Sequence, residues 1–281
     1  MKILNTVNDV KTAIKELQKA GRKVGLVPTM GFLHAGHMSL VKKSVADNDF
    51  TVVSVFVNPT QFGPNEDLEA YPRDFENDTK LLTDAGADLI FSPSPEEMYP
   101  EGFSTKVSVS GITNALCGLS RPVHFDGVAT VVTKLFNIVN PDRAYFGSKD
   151  YQQLQVIRRM VKDLNMSVEV IGMPIIRESD GLAMSSRNIY LKPEERTSAL
   201  SLSKSFGLIQ KLLDNGERDA RVLRQKVVDY INSHSSAHVD YVEIIHPEKL
   251  NSLETVNGDI VAALAVKIGR ARLIDNKLFK I

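Results

Sequence analysis

Residues 50–57 read FTVVSVFV, apolar or β-branched at every position except Ser54. A strand with one wet face alternates polar and apolar side chains. A strand with no wet face must be covered on both sides, as inside a parallel sheet flanked by helices. That requirement constrains the fold more than any other feature of the chain, and the neighbouring segments meet it. Lys23–Pro28 (KVGLVP), Ala87–Phe91, Ala144–Phe146 and Val168–Ile171 read as further short buried strands. Helical patterns lie between them. The opening MKILNTVNDVKTAIKEL carries Val7, Val10, Ile14 and Leu17 at helical spacing, with Gly21 behind. Met38–Ala46, Pro72–Ala85, Gly127–Val139 and Asp150–Leu164 follow. Thr105–Ser110 (TKVSVS) alternates and is expected as an edge strand. The alternation of strand and helix predicts an α/β fold with a doubly wound, mainly parallel, Rossmann-like sheet. Ligands of such sheets sit beyond the carboxyl ends of the strands, at the loops after Pro28, Val57 and Phe146.

The pattern changes near Arg177. A polar stretch, Glu178–Gly181, precedes two helical patterns, Pro193–Asn215 and Asp219–Ser233, and strand-like runs at Val239–Ile245, Ile260–Ile268 and Ala271–Ile274. The expected division is a Rossmann-like ligand-binding domain over 1–176 and a smaller α+β domain over 177–281. Lys+Arg and Asp+Glu both total 34, which argues against a nucleic-acid-coating protein. Cys117 is the only cysteine, so no intrachain disulfide can form, and a reducing compartment is expected. With no signal-peptide pattern and no apolar run of about 20 residues, the chain reads as cytoplasmic and free of the membrane.

Four stretches carry chemistry. The loop P-T-M-G-F-L-H-A-G-H, Pro28–His37, joins a strand to a helix. Its glycines allow close backbone approach, and helix N-terminal amides attract anions. His34 and His37 stand three apart, close enough for both to serve one compact ligand. The loop lacks the G-K-[ST] of a Walker A sequence and the Glu of a zincin helix. Gln61, in F-V-N-P-T-Q-F, offers a donor and an acceptor for a hydroxyl or carboxylate. In F-G-S-K-D-Y-Q-Q, residues 146–153, Lys149 suits a phosphate and Asp150 a ribose or a helix cap. Met184-Ser185-Ser186-Arg187-Asn188 sets two hydroxyls beside a guanidinium, a phosphate-binding combination. Taken singly, each has a bland reading as a solvated loop or an ordinary cap.

Taken together with Tyr71-Pro72-Arg73-Asp74 and Arg121-Pro122-Val123-His124-Phe125-Asp126-Gly127-Val128, these motifs resemble the pantoate–β-alanine ligase family. The H-A-G-H stretch is similar to the histidine signature of the wider nucleotidyltransferase superfamily. The resemblance runs from about Pro28 to Arg187. It implies ATP-dependent joining of (R)-pantoate and β-alanine through a pantoyl-adenylate, releasing AMP and pyrophosphate. It implies nucleotide contact at Met30, Gly31, Phe32, Leu33, His34, Ala35, Gly36 and His37, at Gly147, Ser148, Lys149 and Asp150, at Ile176, and at Met184, Ser185, Ser186 and Arg187. His34, His37, Lys149 and Arg187 are the expected catalytic set. Gln61 and Gln153 are expected on pantoate, with Gln61 also on β-alanine. Asp78 is the candidate Mg²⁺ ligand, although an acid in a helix's first turn also suits the helix dipole. His37 is the candidate proton handler. The resemblance further implies a homodimer and a second domain acting as a lid, hinged near Glu178–Gly181. Val128, Val131 and Val132 are expected to line a pocket as well as fill the core. The roles of Arg121 and His124 stay open.

Overall fold

The computed structural model describes residues 1–64 and 66–281. In chain order its elements are β1 (Lys2–Leu4), α1 (Val7–Lys19), β2 (Val24–Thr29), α2 (Ala35–Asp47), β3 (Phe50–Val55), α3 (Phe75–Asp84), β4 (Leu89–Phe91), α4 (Pro95–Met98), α5 (Cys117–Ser120), α6 (His124–Val139), β5 (Arg143–Gly147), α7 (Tyr151–Asp163), β6 (Glu169–Met173), α8 (Arg196–Asp214), α9 (Ala220–Asn232), β7 (Ala237–Ile245), β8 (Ile260–Ile268) and β9 (Ala271–Phe279). The chain divides into two compact units. Met1–Ser110, Arg121–Ser148 and Gln153–Pro174 form the first, and Gly111–Ser120, Lys149–Gln152 and Ile175–Ile281 the second. One crossing, at Pro174/Ile175, lies close to the expected division at 176/177; residues 111–120 and 149–152 join the second unit earlier in the chain. Among the described residues no helix is long and apolar enough to cross a membrane.

In the first unit six strands pair in parallel in the order β1-β4-β3-β2-β5-β6. Side chains alternate across it as a period of two requires. Val24, Leu26, Val52, Leu89, Phe91, Ala144 and Phe146 meet α1, α6 and α7 on one face. Val27, Val53, Ile90 and Tyr145 meet Leu40, Val41 and Leu82 of α2 and α3 on the other. Both faces of β3 are therefore dry, as its sequence demands. From β2 the chain winds outward to β3 and β4, then returns to place β5 and β6 on the other side of β2. The switch point is thus at the carboxyl end of β2, where the histidine loop begins.

Two local expectations fail. Lys2–Leu4 forms the edge strand β1, with Ile3 paired to Ile90, where the opening reads as helical. Three residues are too few to show a period. Thr105–Ser110 is not a strand: the Val107 N–H instead donates to Thr130 Oγ1 of α6 at 3.0 Å. Val128, Val131 and Val132 are buried in the sheet's core.

In the second unit an antiparallel sheet, β7-β8-β9, carries α8 and α9. Central β8 is buried on both faces. Ile260, Ala262, Leu264 and Val266 pack with the helices, while Val261 and Ala263 pack with Leu116, Ile245 and Leu250. Gln152 clamps the 111–120 segment that supplies Leu116. Its amide donates to Ile112 O (2.9 Å) and Ala115 O (2.7 Å) and accepts from Cys117 N–H (3.0 Å).

Candidate active site

The loop leaving β2 is held by Asp78, an acid whose expected role was metal binding. Gly31 has φ +81° and Phe32 φ +51°, so the backbone turns through the left-handed region twice in succession. A Cβ on Gly31 would also sit 3.0 Å from Asp78 Oδ2. Asp78, buried in the first turn of α3, accepts the Phe32 N–H at 2.8 Å and the Leu33 N–H at 2.7 Å. Burial raises its carboxyl above the ordinary range, and the Leu33 and Phe32 amides pull the other way. In this structure Asp78 is engaged as a support of the loop. Both oxygens already serve loop amides, and among the described residues no three His, Cys, Asp or Glu side chains converge as a metal set.

The helix that follows starts inside the motif, at Ala35 rather than near Met38, because the motif caps it. His34 is the N-cap in extended backbone, and its Nδ1 accepts the Gly36 N–H at 3.1 Å. His37 reaches back so that its Nδ1 accepts the His34 N–H at 3.3 Å. This is a capping box built from two histidines, with ring centroids 4.1 Å apart. A ring nitrogen that accepts from an amide cannot carry a proton. Each neutral ring therefore holds its proton on Nε2. The cap converts two ambiguous imidazoles into two fixed N–H donors beside a helix N-terminus, whose dipole also favours an anion.

Gln61 ends the 3-10 turn Pro59–Gln61 after β3 and is buried. Its Nε2 donates to Met30 Sδ at 3.2 Å, so the loops after β2 and β3 meet. Its Oε1 accepts from Asn58 Nδ2 at 3.2 Å. Asn58 is itself held: Nδ2 donates to Gly127 O at 3.2 Å, and Oδ1 accepts from Tyr99 Oη at 2.7 Å.

The R-P-V-H-F-D-G-V motif supplies the rest of the support. His124 Nδ1 donates to Gln61 O at 3.0 Å, and Arg121 Nη2 to the same carbonyl at 3.3 Å. Arg121 also pairs with Glu66, Nε to Oε1 at 2.7 Å and Nη2 to Oε2. Burial works against ionising Glu66, but the Arg121 guanidinium and its hydrogen bonds hold the carboxyl below the usual range. Gly127 lets α6 press onto the turn, where a Cβ would collide with Thr60 O and come within 2.6 Å of Gln61 N. Glu66 and Tyr99 are site supports that lie outside every motif, and Asn58 and Gly127 lie inside motifs that gave no sign of their supporting contacts. Neither distant pairing nor close backbone approach has a sequence period. The His-x-x-His spacing does carry a readable signal, since a capping box needs that spacing.

The double glutamine splits in role. Gln152 is the structural clamp described above. Gln153 is half-buried, and among the described residues no hydrogen bond takes up its amide. Gly147 and Ser148 close the first unit at the end of β5, and Lys149 and Asp150 begin a stretch of the second. Within the second unit Met184 N–H donates to Ile176 O at 2.9 Å, and an Arg177–Ala183 bridge turns at Glu178–Gly181. Arg196 pairs with Glu178 at 2.5 Å and with Asp180 at 2.8 Å, bracing that turn. Ser185 caps the 3-10 turn Ser186–Tyr190 by accepting the Arg187 N–H at 3.3 Å, and Ser186 is buried.

A doubly wound parallel sheet with a helix N-terminus and two fixed N–H donors at its switch point defines a phosphate- or nucleotide-binding α/β enzyme. Within that class the chain belongs to the pantoate-beta-alanine ligase family, whose pattern matches residues 2–278. It is 56% identical over 281 residues to the pantothenate synthetase of Acetivibrio thermocellus, covering 100% of both chains. It is 54% identical to that of Enterococcus faecalis, again over 100% of both. The pantothenate synthetase of Thermus thermophilus superposes with a TM-score of 0.93 at 47% identity, covering 99% of each chain. The pantoate-beta-alanine ligase of Francisella tularensis, solved in complex with beta-gamma ATP and beta-alanine, does so with a TM-score of 0.81 at 37% identity, over 99% of this chain and 97% of that one.

Proposed function

We propose that this chain joins (R)-pantoate to β-alanine in two steps at the expense of ATP. The paired-histidine cap at the switch point is the observation that carries the reading, because it aims fixed donors where phosphate charge develops. A carboxylate is already ionised at neutral pH, so no base is needed at the start. A pantoate carboxylate oxygen attacks the α-phosphorus, a P–O bond to pyrophosphate breaks, and pantoyl-adenylate forms. The β-alanine nitrogen then attacks the acyl carbon, the C–O bond to AMP breaks, and the nitrogen loses a proton.

His34 and His37 donate through Nε2 to the triphosphate, with the amides of Met30–Gly36 around it. Lys149, Ser185, Ser186 and Arg187 add donors and positive charge to the phosphates, and Gly147, Ser148, Asp150, Ile176 and Met184 meet the nucleotide. Gln61 and Gln153 hold pantoate, and Gln61 meets β-alanine. Mg²⁺ would supply charge neutralisation at the triphosphate when bound, and Asp78 is the residue proposed to help place it. The single cysteine supports a cytoplasmic setting, and the family resemblance supports a homodimer and a lid role for the second unit.

Exchange of labelled pyrophosphate into ATP tests the reading. Exchange is expected to require pantoate and to proceed without β-alanine. Exchange supported equally by other acids but not by pantoate overturns the substrate assignment.

A further inference from the structure

β9 is an edge strand in which two consecutive polar residues, Asp275 and Asn276, are both buried. Successive side chains on a strand point to opposite faces, so burying both is costly unless each is bonded. Each bond leads to a stretch that carries proposed phosphate-binding residues. Asn276 Nδ2 donates to Lys149 O at 2.8 Å. Asp275 receives Arg177 through both oxygens, at 2.7 and 3.0 Å, and also accepts the Asn276 N–H at 2.8 Å. Arg177 in turn donates to Gly181 O at 3.1 Å and lies in the bridge with Ala183, just before Met184–Arg187. β9 also packs beside the 3-10 turn Ser186–Tyr190.

The Asp275 carboxylate thus absorbs the Arg177 charge, while among the described residues no hydrogen bond or salt bridge takes up the Lys149 ammonium. Lys149 is held through its backbone carbonyl, and its ammonium is near enough to Asp275 to favour that carboxylate's charged form.

We infer that Asp275 and Asn276 are positioning residues for the reaction. Asn276 sets the Lys149 backbone, and Asp275, through Arg177, sets the strand that leads into Ser185–Arg187. This rests on the reading of Lys149 as a phosphate-binding group. A strand of the smaller sheet would then fix the spacing between two charged stretches, Lys149 and Ser185–Arg187, that begin 36 residues apart in sequence.

The test is pyrophosphate exchange by full-length Asn276→Ala, Lys149→Ala and the double variant, with KM for ATP and for pantoate measured separately. Asn276→Ala is expected to raise KM for ATP or lower kcat about 5- to 10-fold, the scale of one lost hydrogen bond, with KM for pantoate unchanged. The double variant is expected to be no worse than Lys149→Ala, because Asn276 acts through Lys149. Asp275→Asn, which keeps the shape but weakens the Arg177 pair, is expected to show the same ATP-selective loss and serves if Asn276→Ala folds poorly. Parental kinetics in Asn276→Ala, equal rises in both KM values, or fully additive losses in the double variant overturn the positioning role. Unchanged exchange in Lys149→Ala overturns the phosphate reading beneath it.

Discussion

At the scale of single residues, His34 and His37 each divide two nitrogens between an observed cap and the donor role proposed above. Nδ1 of each caps α2, and that is what places a proton on each Nε2. The same bond bears on His37 as a proton handler. To accept a proton at Nε2, the ring would have to release its own to Nδ1 and break its bond to the His34 amide. The geometry suits a charge-stabilising donor. The two roles separate by substitution. His37→Ala removes the N3 partner of the box and is expected to cost about 1 kcal/mol of stability, with at least a ~100-fold loss of adenylation. His37→Glu restores the usual capping-box partner, so denaturant melts are expected to match the parent while exchange stays lost. Parental exchange in the Glu variant sinks the donor role, and an undiminished melt in the Ala variant sinks the capping role.

At the scale of elements, α6 works as a strut. Its first turn brings His124 and Gly127 onto the Pro59–Gln61 turn, and Asn58 ties the turn to α6 through Gly127 O. Gly127→Ala drives a Cβ into backbone atoms, which cannot yield as a flexible side chain would. A loss of about 1–3 kcal/mol in denaturant melts is expected, with KM for pantoate raised in exchange assays as Gln61 shifts. At Gly207 in α8 an added methyl would meet nothing within 4 Å, so Gly207→Ala serves as the control. It is expected to be neutral or stabilising by up to about 1 kcal/mol. A harmless Gly127→Ala would show that the close approach of α6 is incidental.

At the scale of the whole molecule, the net charge of zero leaves no long-range self-repulsion to oppose association of copies. With the family resemblance, this leads to an expected sedimentation mass of about twice the 31.1 kDa of one chain. A mass of one chain across micromolar concentrations would remove the homodimer. The parallel sheet was legible because its strands are dry on both faces, so residues such as Val52 and Val53 are apolar in succession. β1 was not legible, because a three-residue edge strand takes its identity from pairing with β4. Residues 111–120 gave no sign of joining the second unit. Their apolar Ile112, Ala115 and Leu116 fit any core, and only the clamp by Gln152 and the packing on β8 assign them to one.

The sequence by itself determined the parallel sheet, the place of the histidine loop at its switch point, and the family, since these rest on local periodicity and on motifs a few residues long. Only the tertiary structure decided what holds those motifs in working shape. It put Asp78 on the loop amides, Arg121, His124 and Gly127 behind Gln61, and Asp275 and Asn276 behind Arg177 and Lys149. Each is a hydrogen bond or a close contact between residues tens of positions apart. A chain records such contacts only as ordinary polar residues and glycines until folding brings their partners together.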